Sequence, residues 1–356
     1  MAISSIKIVG SGLIGTSIGL ALSARGIAVL MSDVDPTASL MAQSLVGNKK
    51  SFESDHAFDI VVLAVPPSAF KEALTREIVL NPTSTFVDIL SIKTKPLLQV
   101  QSLGEVASRY VGTHPMAGRE VSGPQSARGD LFDGRTWILT SGESTSPTSK
   151  DLASELINLC GGIVVHMEPK EHDQAMALIS HTPQILASLL ASQLVGNNPQ
   201  WLGLIGQGFK DVTRIADSDP ILWREIISEN AENILPVLKN FRQKLDEIQS
   251  HLDDASSAQS LIETGNAGRK LIPGKHGSTA RSYIYLHIVI DDKAGQLAAI
   301  FNDCAKAEVN IEDVSIEHTP GQNTGLVTLS ILDIGKAKFL EEFLGTAGWK
   351  VHSTSN

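Results

Sequence analysis

His114 is followed by a turn of proline and glycine and is well placed to act on a bound molecule. It ends an apolar, strand-like run at residues 109–112, and Pro115 and Gly118 come directly after it. Histidine titrates near neutral pH, and the strands of an open α/β sheet present their carboxyl ends to the ligand crevice. The segment therefore predicts a histidine aimed at a substrate. It is equally typical of a surface turn shaped by Pro115 and Gly118.

Two further polar groups lie within helical patterns in the second half of the chain. His181 and Pro183 interrupt an apolar helical run at 175–196, where a histidine is more often packed than catalytic. Arg214 lies in the segment 206–220, which opens with two glycines and ends at a proline. Its planar guanidinium suits a carboxylate ligand. The alternative is a surface salt bridge with a neighbouring aspartate.

The elements that position these groups begin with a nucleotide-binding pattern. Residues 6–9 form a short apolar strand, and Gly10-Ser11-Gly12-Leu13-Ile14-Gly15 then follows the G-x-G-x-x-G spacing ahead of a helical run at 16–25. The glycines allow a tight turn, close approach of the backbone to a pyrophosphate, and close packing of helix on sheet. Free N–H groups at the start of the helix would face the phosphates.

Asp33 ends the next apolar strand, about 20 residues after the glycines, where a carboxylate binds the adenosine ribose hydroxyls. A carboxylate there repels a 2′-phosphate and neither flanking residue is basic, so the pattern predicts NAD over NADP. The alternative is that Asp33 only begins a turn before Asp35. The predicted cofactor contacts are Gly10, Gly12, Leu13, Ile14, Gly15, Asp33 and Val65.

The pattern of the whole chain predicts three folded regions. Aliphatic strands that stop at a Pro-Pro pair after Val65 and at Ser91 are expected to line the crevice, and strands alternate with helices over residues 1–168. This predicts a doubly wound parallel sheet, a Rossmann domain. Long helical runs follow over 169–254, the last of them at 221–251. A Ser/Ala/Gly-rich linker over 255–279 leads to a βαββαβ domain over 280–356.

Composition excludes several functional classes. The 356 residues suffice for two or three domains, and a net charge of -10 argues against a nucleic-acid or anionic-membrane surface. Cys160 and Cys304 are the only cysteines and fall in different predicted domains, which favours a reducing cytoplasm. No metal is predicted, because the ten histidines lack ligand spacing. No apolar run looks long enough to cross a bilayer, so a soluble protein is expected.

Together these motifs resemble the prephenate dehydrogenase family, which includes arogenate dehydrogenases. The resemblance covers nearly the whole chain, and Gln184 and Gln207 depart from the family pattern, which leaves prephenate versus arogenate open. It rests on the glycine motif through Gly15, Ser91-Ile92-Lys93, His114-Pro115-Met116-Ala117-Gly118-x-Glu120, Ser180-His181-x-Pro183, and the long motif from Gly208-Phe209-Lys210-Asp211 to Ser218-Asp219-Pro220.

The resemblance implies a homodimer that catalyses NAD-dependent oxidative decarboxylation of prephenate to 4-hydroxyphenylpyruvate in tyrosine biosynthesis. It implies that His114 is the catalytic residue and that Ser91 hydrogen-bonds the substrate hydroxyl. A histidine of unperturbed pKa about 6.5 can serve as the base. Arg214 is expected to bind a substrate carboxylate. The other residues expected to bind the substrate or gate the pocket are Lys210, Glu120, His181 and Trp223.

The C-terminal βαββαβ order resembles an ACT regulatory domain. Residues 292–297 match the D-x-P-G-x-L signature except that Ala294 replaces the proline, and Asn310 is expected to begin the second strand. The resemblance implies an aromatic amino-acid effector such as tyrosine, with Asp292, Gly295 and Asn310 as regulatory residues. The alternative is a dimerisation module without a ligand.

Two other functional classes also fit a Rossmann domain joined to helices. A β-hydroxyacid dehydrogenase or imine reductase would carry a lysine catalyst on a helix, and none is convincingly placed. A non-catalytic sensor of NAD or amino acids would leave His114, Ser91 and Arg214 without a purpose.

Overall fold

Seven strands form the sheet that organises the N-terminal half of the chain. The computed structural model describes residues 3–47, 52, 56–118, 123–272, 283–318 and 324–355. The chain divides into two units, Met1–Lys244 and Leu245–Asn356. The strands of the first unit are β1 (Ser5–Val9), β2 (Ala28–Ser32), β3 (Ile60–Leu63), β4 (Thr85–Asp88), β5 (Tyr110–Pro115), β6 (Thr136–Thr140) and β7 (Ile163–His166).

The sheet has the order β2-β1-β3-β4-β5-β6-β7 and is not parallel throughout. The first five strands run parallel, β6 runs antiparallel to β5, and β7 is again parallel to β6. A parallel neighbour needs a long crossover, usually a helix. Between β5 and β6 the described residues contain only the short 3-10 helix Pro124–Ser126. The predicted doubly wound α/β sheet is therefore confirmed, with one antiparallel pairing, between β5 and β6, that the sequence did not predict.

Helices cover both faces of this sheet. The four residues of β3 are all fully buried; Ile60 and Val62 belong to one apolar cluster, and Val61 and Leu63 to a second one. A strand buried on both faces is typical of doubly wound sheets. The helices of this part are α1 (Leu13–Ser23), α2 (Pro36–Val46), α3 (Pro67–Leu80), α4 (Thr94–Gln101) and α5 (Pro147–Leu159).

The helical region follows the sheet directly. Its first helix is continuous over Pro169–Ser192, because a π-helical stretch at Ala177–His181 joins α6 to α7 where the sequence predicted an interruption. A wide π-helical turn accommodates Pro183, which has no N–H to donate. The helices are α6 (Pro169–Met176), α7 (Thr182–Ser192), α8 (Pro199–Leu202), α9 (Gln207–Thr213), α10 (Pro220–Glu229) and α11 (Ala231–Ser250).

The 24-residue helix Pro169–Ser192 is long and apolar enough, by length and composition alone, to cross a membrane. The expectation that no such run exists is therefore wrong. Three titratable side chains of this helix, His172, Asp173 and His181, are buried within the first unit. The helix is thus packed as an element of this unit.

The predicted helical run at 221–251 is divided at Asn230, which lies between α10 and α11. The segment 255–279, predicted as an irregular linker, is instead mostly helical, because α12 (Ala255–Lys270) occupies most of it. Asp254 caps α12 by accepting a hydrogen bond of 3.0 Å from the N–H of Ser256. Small residues such as those of α12 weaken a helix but do not exclude it once a cap is present.

A four-stranded antiparallel sheet forms the rest of the second unit, and the predicted βαββαβ order is confirmed. Its order is β11-β8-β10-β9. Asn310 does not begin the second strand, because it lies before β9 and donates a 2.8 Å hydrogen bond to Glu312. The elements are β8 (Ile284–Asp291), α13 (Gln296–Lys306), β9 (Asp313–His318), β10 (Thr324–Ile331), α14 (Ile334–Thr346) and β11 (Lys350–Ser355).

Candidate active site

A cleft of about 590 Å³ opens at the carboxyl ends of the parallel strands. It extends from the glycine-rich turn after β1 to Ser91, just beyond β4, and His114, at the end of β5. The crevice therefore lies where strand order predicts a ligand site. All seven predicted cofactor contacts line it: Gly10, Gly12, Leu13, Ile14, Gly15, Asp33 and Val65.

The glycine-rich turn fits a dinucleotide diphosphate. Gly10 has a φ of 107°, and a Cβ there would lie 2.1 Å from the carbonyl oxygen of Ala64. A Cβ on Gly15 would come equally close to the carbonyl oxygen of Gly10. Gly12 instead borders open space and has no side chain to cap α1. The first N–H groups of α1 can therefore bind phosphate oxygens, and the residues present fit NAD.

Asp33 both shapes the turn after β2 and lines the cleft. One carboxylate oxygen accepts the N–H of Ser11 at 2.6 Å, and the other accepts the N–H of Asp35 at 2.9 Å. The two alternatives that the sequence left open for this residue are thus compatible. The carboxylate is fixed at the edge of the glycine-rich turn.

His114 and Ser91 both line the cleft, because His114 lies at the end of β5 and Ser91 comes after the neighbouring parallel strand β4. The Nδ1 atom of half-buried His114 lies 2.9 Å from the Nε2 atom of His172, in the first helix of the helical region. The Nδ1 atom of His172 lies 2.8 Å from a carboxylate oxygen of Asp173. The same carboxylate accepts the backbone N–H groups of Lys93 and Thr94, each at 2.8 Å.

These contacts set the tautomer of His114. An ionised carboxylate only accepts hydrogen bonds, so the proton of His172 must lie on Nδ1. The Nε2 atom of His172 is then an acceptor, and His114 must donate to it from Nδ1. The Nε2 atom of His114 therefore carries a lone pair and can take a proton.

The electrostatics of the site keep the His114 ring neutral. Burial lowers the pKa of His114 well below its usual value of 6.5, and His172, Lys93 and His181 lower it further. Burial also lowers the pKa of His172, although its hydrogen bond with Asp173 opposes this. Burial alone would raise the pKa of Asp173. Hydrogen bonds from His172, Thr94 and Lys93 outweigh burial, and the pKa of Asp173 is lowered. Near pH 7, therefore, Asp173 is a carboxylate and the rings of His114 and His172 are both neutral.

A buried ion pair lies beneath His114. The ammonium of Lys93 donates to the Asp88 carboxylate and, at 2.6 Å, to the carbonyl oxygen of Thr113. The Tyr110 hydroxyl donates to the same carboxylate. Lys93 and Asp88 are fully buried, and burial lowers the pKa of Lys93 while Asp88 opposes the shift. These contacts fix the strand end that carries the histidine.

His181 is fully buried in the π-helical stretch. Its Nδ1 atom lies 3.0 Å from the side-chain nitrogen of Asn230, and its ring packs edge-on against Trp223 with 6.0 Å between centroids. Its Nε2 atom has no hydrogen-bond partner among the residues that the structure describes. Burial lowers the pKa of His181 to about 4, so this ring is also neutral near pH 7.

Polar contacts hold α10 against the nucleotide-binding part. The carboxylate of Glu225 accepts the N–H and the hydroxyl of Ser68, at 3.0 and 2.9 Å, and so caps α3. Lys95 pairs with Glu229 at 3.0 Å. Helix α10 is thereby placed so that Leu222 lines the cleft.

Some of the predicted substrate residues lie elsewhere. Four of them are not part of the described cleft lining: Arg214, Lys210, His181 and Trp223. Arg214 and Lys210 are exposed, whereas His181 is fully buried and Trp223 is half-buried against it. Glu120 lies outside the described residues. In the second unit, Gly295 precedes α13 with a φ of 91° and Asp292 lies just before it, whereas Asn310 follows the other end of that helix. The three predicted regulatory residues are therefore not together in one copy.

The sequence analysis assigned no role to four residues of this site: Lys93, His172, Asp173 and Asn230. Two signals were present. A His-Asp pair opens the helical region at residues 172–173, and Asn230 interrupts a long helical pattern. Both signals are weak without the fold, because the partners of these side chains are far away in the sequence.

Two family models match the chain. One, described as "Prephenate dehydrogenase, nucleotide-binding domain", matches residues 18–166. The other, "Prephenate dehydrogenase, dimerization domain", matches residues 168–264 and so extends into α12. Together they cover more than half of the chain.

Curated relatives and solved structures agree with these models. The chain is 30% identical to the probable prephenate dehydrogenase NovF of Streptomyces niveus, over 97% of this chain and 99% of that protein. It is 27% identical to the prephenate dehydrogenase of Bacillus subtilis, over 92% of this chain and 91% of that protein.

The crystal structure of prephenate dehydrogenase from A. aeolicus in complex with hydroxyphenyl propionate and NAD+ is similar to this one, with a TM-score of 0.69. The two sequences are 28% identical, and the match covers 76% of this chain and 99% of that chain. Synechocystis arogenate dehydrogenase gives a TM-score of 0.64 at 25% identity over 74% of this chain and 98% of that chain. With the motifs, the cleft and both family models in agreement, this chain belongs to the prephenate dehydrogenase family.

Proposed function

We propose that this enzyme converts prephenate to 4-hydroxyphenylpyruvate and carbon dioxide, with NAD as the hydride acceptor. The observation that carries the proposal is the placement of His114. It lies at the end of β5 in the cleft that begins at the glycine-rich turn, and its Nδ1 atom is engaged by His172. A neutral base thus lies in the same cleft as the nucleotide-binding turn.

The reaction requires a base that takes a proton and later returns it. The substrate is oxidised at its ring C–OH carbon, and bound NAD supplies the acceptor for the hydride that this carbon loses. His114 takes the hydroxyl proton on Nε2, while Ser91 orients the hydroxyl. The bond to the carboxylate on the opposite ring carbon then breaks, and its electron pair aromatises the ring. The resulting phenolate oxygen takes the proton back from His114, so no net proton is released.

The pair His172 and Asp173 supports this cycle. When His114 becomes an imidazolium, its Nδ1–H still donates to His172, and the Asp173 carboxylate lies one ring further away. A fixed carboxylate stabilises the cation and holds the ring in one orientation, which is the role of the aspartate in Ser-His-Asp triads. The arrangement therefore favours proton acceptance at Nε2 of His114.

The substrate carboxylates need a cation, and the family motif at 208–220 supplies Arg214 and Lys210. Both are exposed in the structure. We infer that Arg214 binds a carboxylate when this segment closes over the cleft, with Lys210 beside it. From the family resemblance we infer that His181 and Trp223 also contribute to substrate binding or gating.

We also infer that the enzyme is a homodimer assembled through its helical region. The family model that matches this region is described as a dimerization domain. Contiguous exposed apolar surface marks a protein interface more often than a solvated face. Among the described residues of this region, the large apolar side chains that are more than half exposed include Leu178, Ile179, Leu189, Val195, Trp201, Leu204 and Val212.

For the C-terminal unit we propose an ACT-like regulatory role with an aromatic amino acid as effector. Asp292 and Gly295 lie at one end of α13 and Asn310 at the other, so a site that uses all three needs two copies of the unit. The ACT domains that this unit resembles bind amino acids at paired interfaces, which agrees with such an arrangement. Cys160 and Cys304 are free and buried, which supports a reducing, cytoplasmic location.

One experiment tests the proposed activity. The purified full chain is given prephenate or arogenate, each with NAD or NADP, while reduced nicotinamide and the aromatic product are followed. We expect the highest kcat/KM with prephenate and NAD. A preference for arogenate would change the substrate assignment alone, whereas absence of turnover with both would overturn the proposed function.

A further inference from the structure

Asn230 joins the two histidine systems of the site. It is buried to 99%, with 1% of its surface exposed, at the junction of α10 and α11. Its side-chain nitrogen donates a 2.8 Å hydrogen bond to the backbone carbonyl oxygen of Asp173 and lies 3.0 Å from Nδ1 of His181. Asp173 therefore engages His172 through its carboxylate and Asn230 through its backbone.

The orientation of the Asn230 amide follows from that carbonyl. A backbone carbonyl oxygen only accepts hydrogen bonds, so the amide must turn its NH2 group toward Asp173. The amide oxygen then faces away, where it accepts a 2.8 Å hydrogen bond from the side chain of Asn233. The reverse orientation would bring two oxygens within 2.8 Å of each other.

The tautomer of His181 follows in turn. The second N–H of the Asn230 amide points at Nδ1 of His181, which must therefore be an acceptor. In a neutral ring the proton then lies on Nε2. This Nε2–H is a buried donor without a partner among the described residues. A buried donor left unpaired is costly, and that cost is removed when a bound molecule supplies an acceptor.

We propose that Asn230 is a positioning residue that fixes His181 as a neutral Nε2–H donor for an oxygen of the substrate. This rests on the proposed function. Asp173 thus gives His114 and His181 opposite roles. Through His172 it leaves Nε2 of His114 free to accept a proton, and through Asn230 it makes Nε2 of His181 a donor.

The tautomer is read directly by nitrogen NMR of the full-length enzyme labelled at its histidine rings, without substrate. The signals of His181 are assigned by their loss in His181→Gln. We expect Nε2 protonated and Nδ1 unprotonated in the natural enzyme. In Asn230→Asp the new carboxylate can only accept, so Nδ1 becomes protonated. Asn233→Ala, which loosens the same amide from its other side, should leave Nδ1 unprotonated.

Kinetics test the consequence for substrate binding. Glutamine can present an N–H near the position of Nε2, whereas asparagine places its amide near Nδ1. We expect His181→Gln to keep KM for prephenate within about 3-fold and His181→Asn to raise it roughly 10-fold or more, the scale of a lost hydrogen bond to a charged group. Asn230→Leu should raise KM by a similar factor, with kcat changed less.

A double variant separates positioning from a general structural effect. If Asn230 acts through the His181 tautomer, Asn230→Leu should add little to KM in the His181→Gln background. An equal rise in both backgrounds, or a natural enzyme protonated at Nδ1 of His181, would overturn the inference. Because the NMR measurement needs no turnover, failure of the proposed function would be recognised separately.

Discussion

The Nδ1 atom of His114 lies 2.9 Å from the Nε2 atom of His172, although the two residues are 58 positions apart in the chain. The first ends a strand of the sheet, and the second lies in the first helix of the helical region. The proton-accepting atom of His114 is therefore defined by tertiary packing between two regions. Changes on either side of this contact should alter catalysis in different ways.

Replacing His114 by asparagine should remove the base and keep the fold. The amide can still donate to His172 but cannot take the hydroxyl proton. We expect kcat to fall roughly 100-fold or more, the usual effect of losing a general base, with NAD affinity by calorimetry unchanged. Exposed His166 gives the control His166→Asn, which should stay fully active. Full activity of His114→Asn would show that the base is another group.

Asp173→Asn should misplace the proton rather than remove the base. The new amide can donate to Nδ1 of His172, which then places its proton on Nε2 and takes away the acceptor for His114. We expect kcat to fall by roughly 100-fold or more, by analogy with the same exchange in a Ser-His-Asp triad. Glu171→Gln, on the exposed face of the same helix, is the control. A drop in melting temperature without a drop in kcat would assign Asp173 a structural role.

The sequence predicted the parts of the site that are local. The glycine-rich turn, Asp33 and the strand end at His114 each depend on neighbouring residues, and all of them line the cleft. His172, Asp173 and Asn230 could not be predicted in the same way, because their partners come from other elements. The burial of Lys93 could not be predicted either, since a lysine after a strand is normally exposed.

The errors of fold prediction also have physical causes. Strand β6 is antiparallel because no long helix precedes it among the described residues, and sequence alternation does not report strand direction. Helix α12 forms despite its small residues because Asp254 caps it. Pro183 suggested a helix break, but a π-helical turn accommodates it. For α12 and Pro183, a local preference was overruled by one specific contact or turn.

The pH dependence of the enzyme should reflect the lowered pKa of His114, caused first by burial and then by His172, Lys93 and His181. A base works in its neutral form, so a lowered pKa extends the active range toward acid. As the pH is lowered from above neutral, we expect kcat/KM for prephenate to stay constant through pH 6.5. It should fall only at more acid pH, where His114 becomes protonated. A midpoint at or above 6.5 would contradict this assignment.

Asp33→Asn should weaken the preference for NAD. The amide oxygen can still accept the N–H of Ser11, but the negative charge that repels a 2′-phosphate is gone. We expect the ratio of kcat/KM for NAD over NADP to fall roughly 10-fold or more, since an unfavourable pair of like charges costs several kcal/mol. Asp35→Asn, which removes an exposed carboxylate from the same turn, should leave the ratio nearly unchanged. An unaltered ratio in Asp33→Asn would place cofactor selection elsewhere.

Tyrosine should inhibit the enzyme through the C-terminal βαββαβ part of the second unit, which begins at β8. A chain that ends at Lys270 retains both matched family regions and every proposed catalytic group, so it should keep its activity on prephenate. It should lose inhibition by tyrosine, because an effector changes activity only by binding differently to two states of the enzyme, and the proposed binding residues Asp292, Gly295 and Asn310 are absent. Binding of tyrosine is measured by calorimetry, and its effect on initial rates is measured for both the intact and the shortened enzyme.

If tyrosine, phenylalanine and tryptophan all fail to bind the intact enzyme, the unit is a dimer contact without a ligand. Inhibition that survives the truncation would place the effector in the active site.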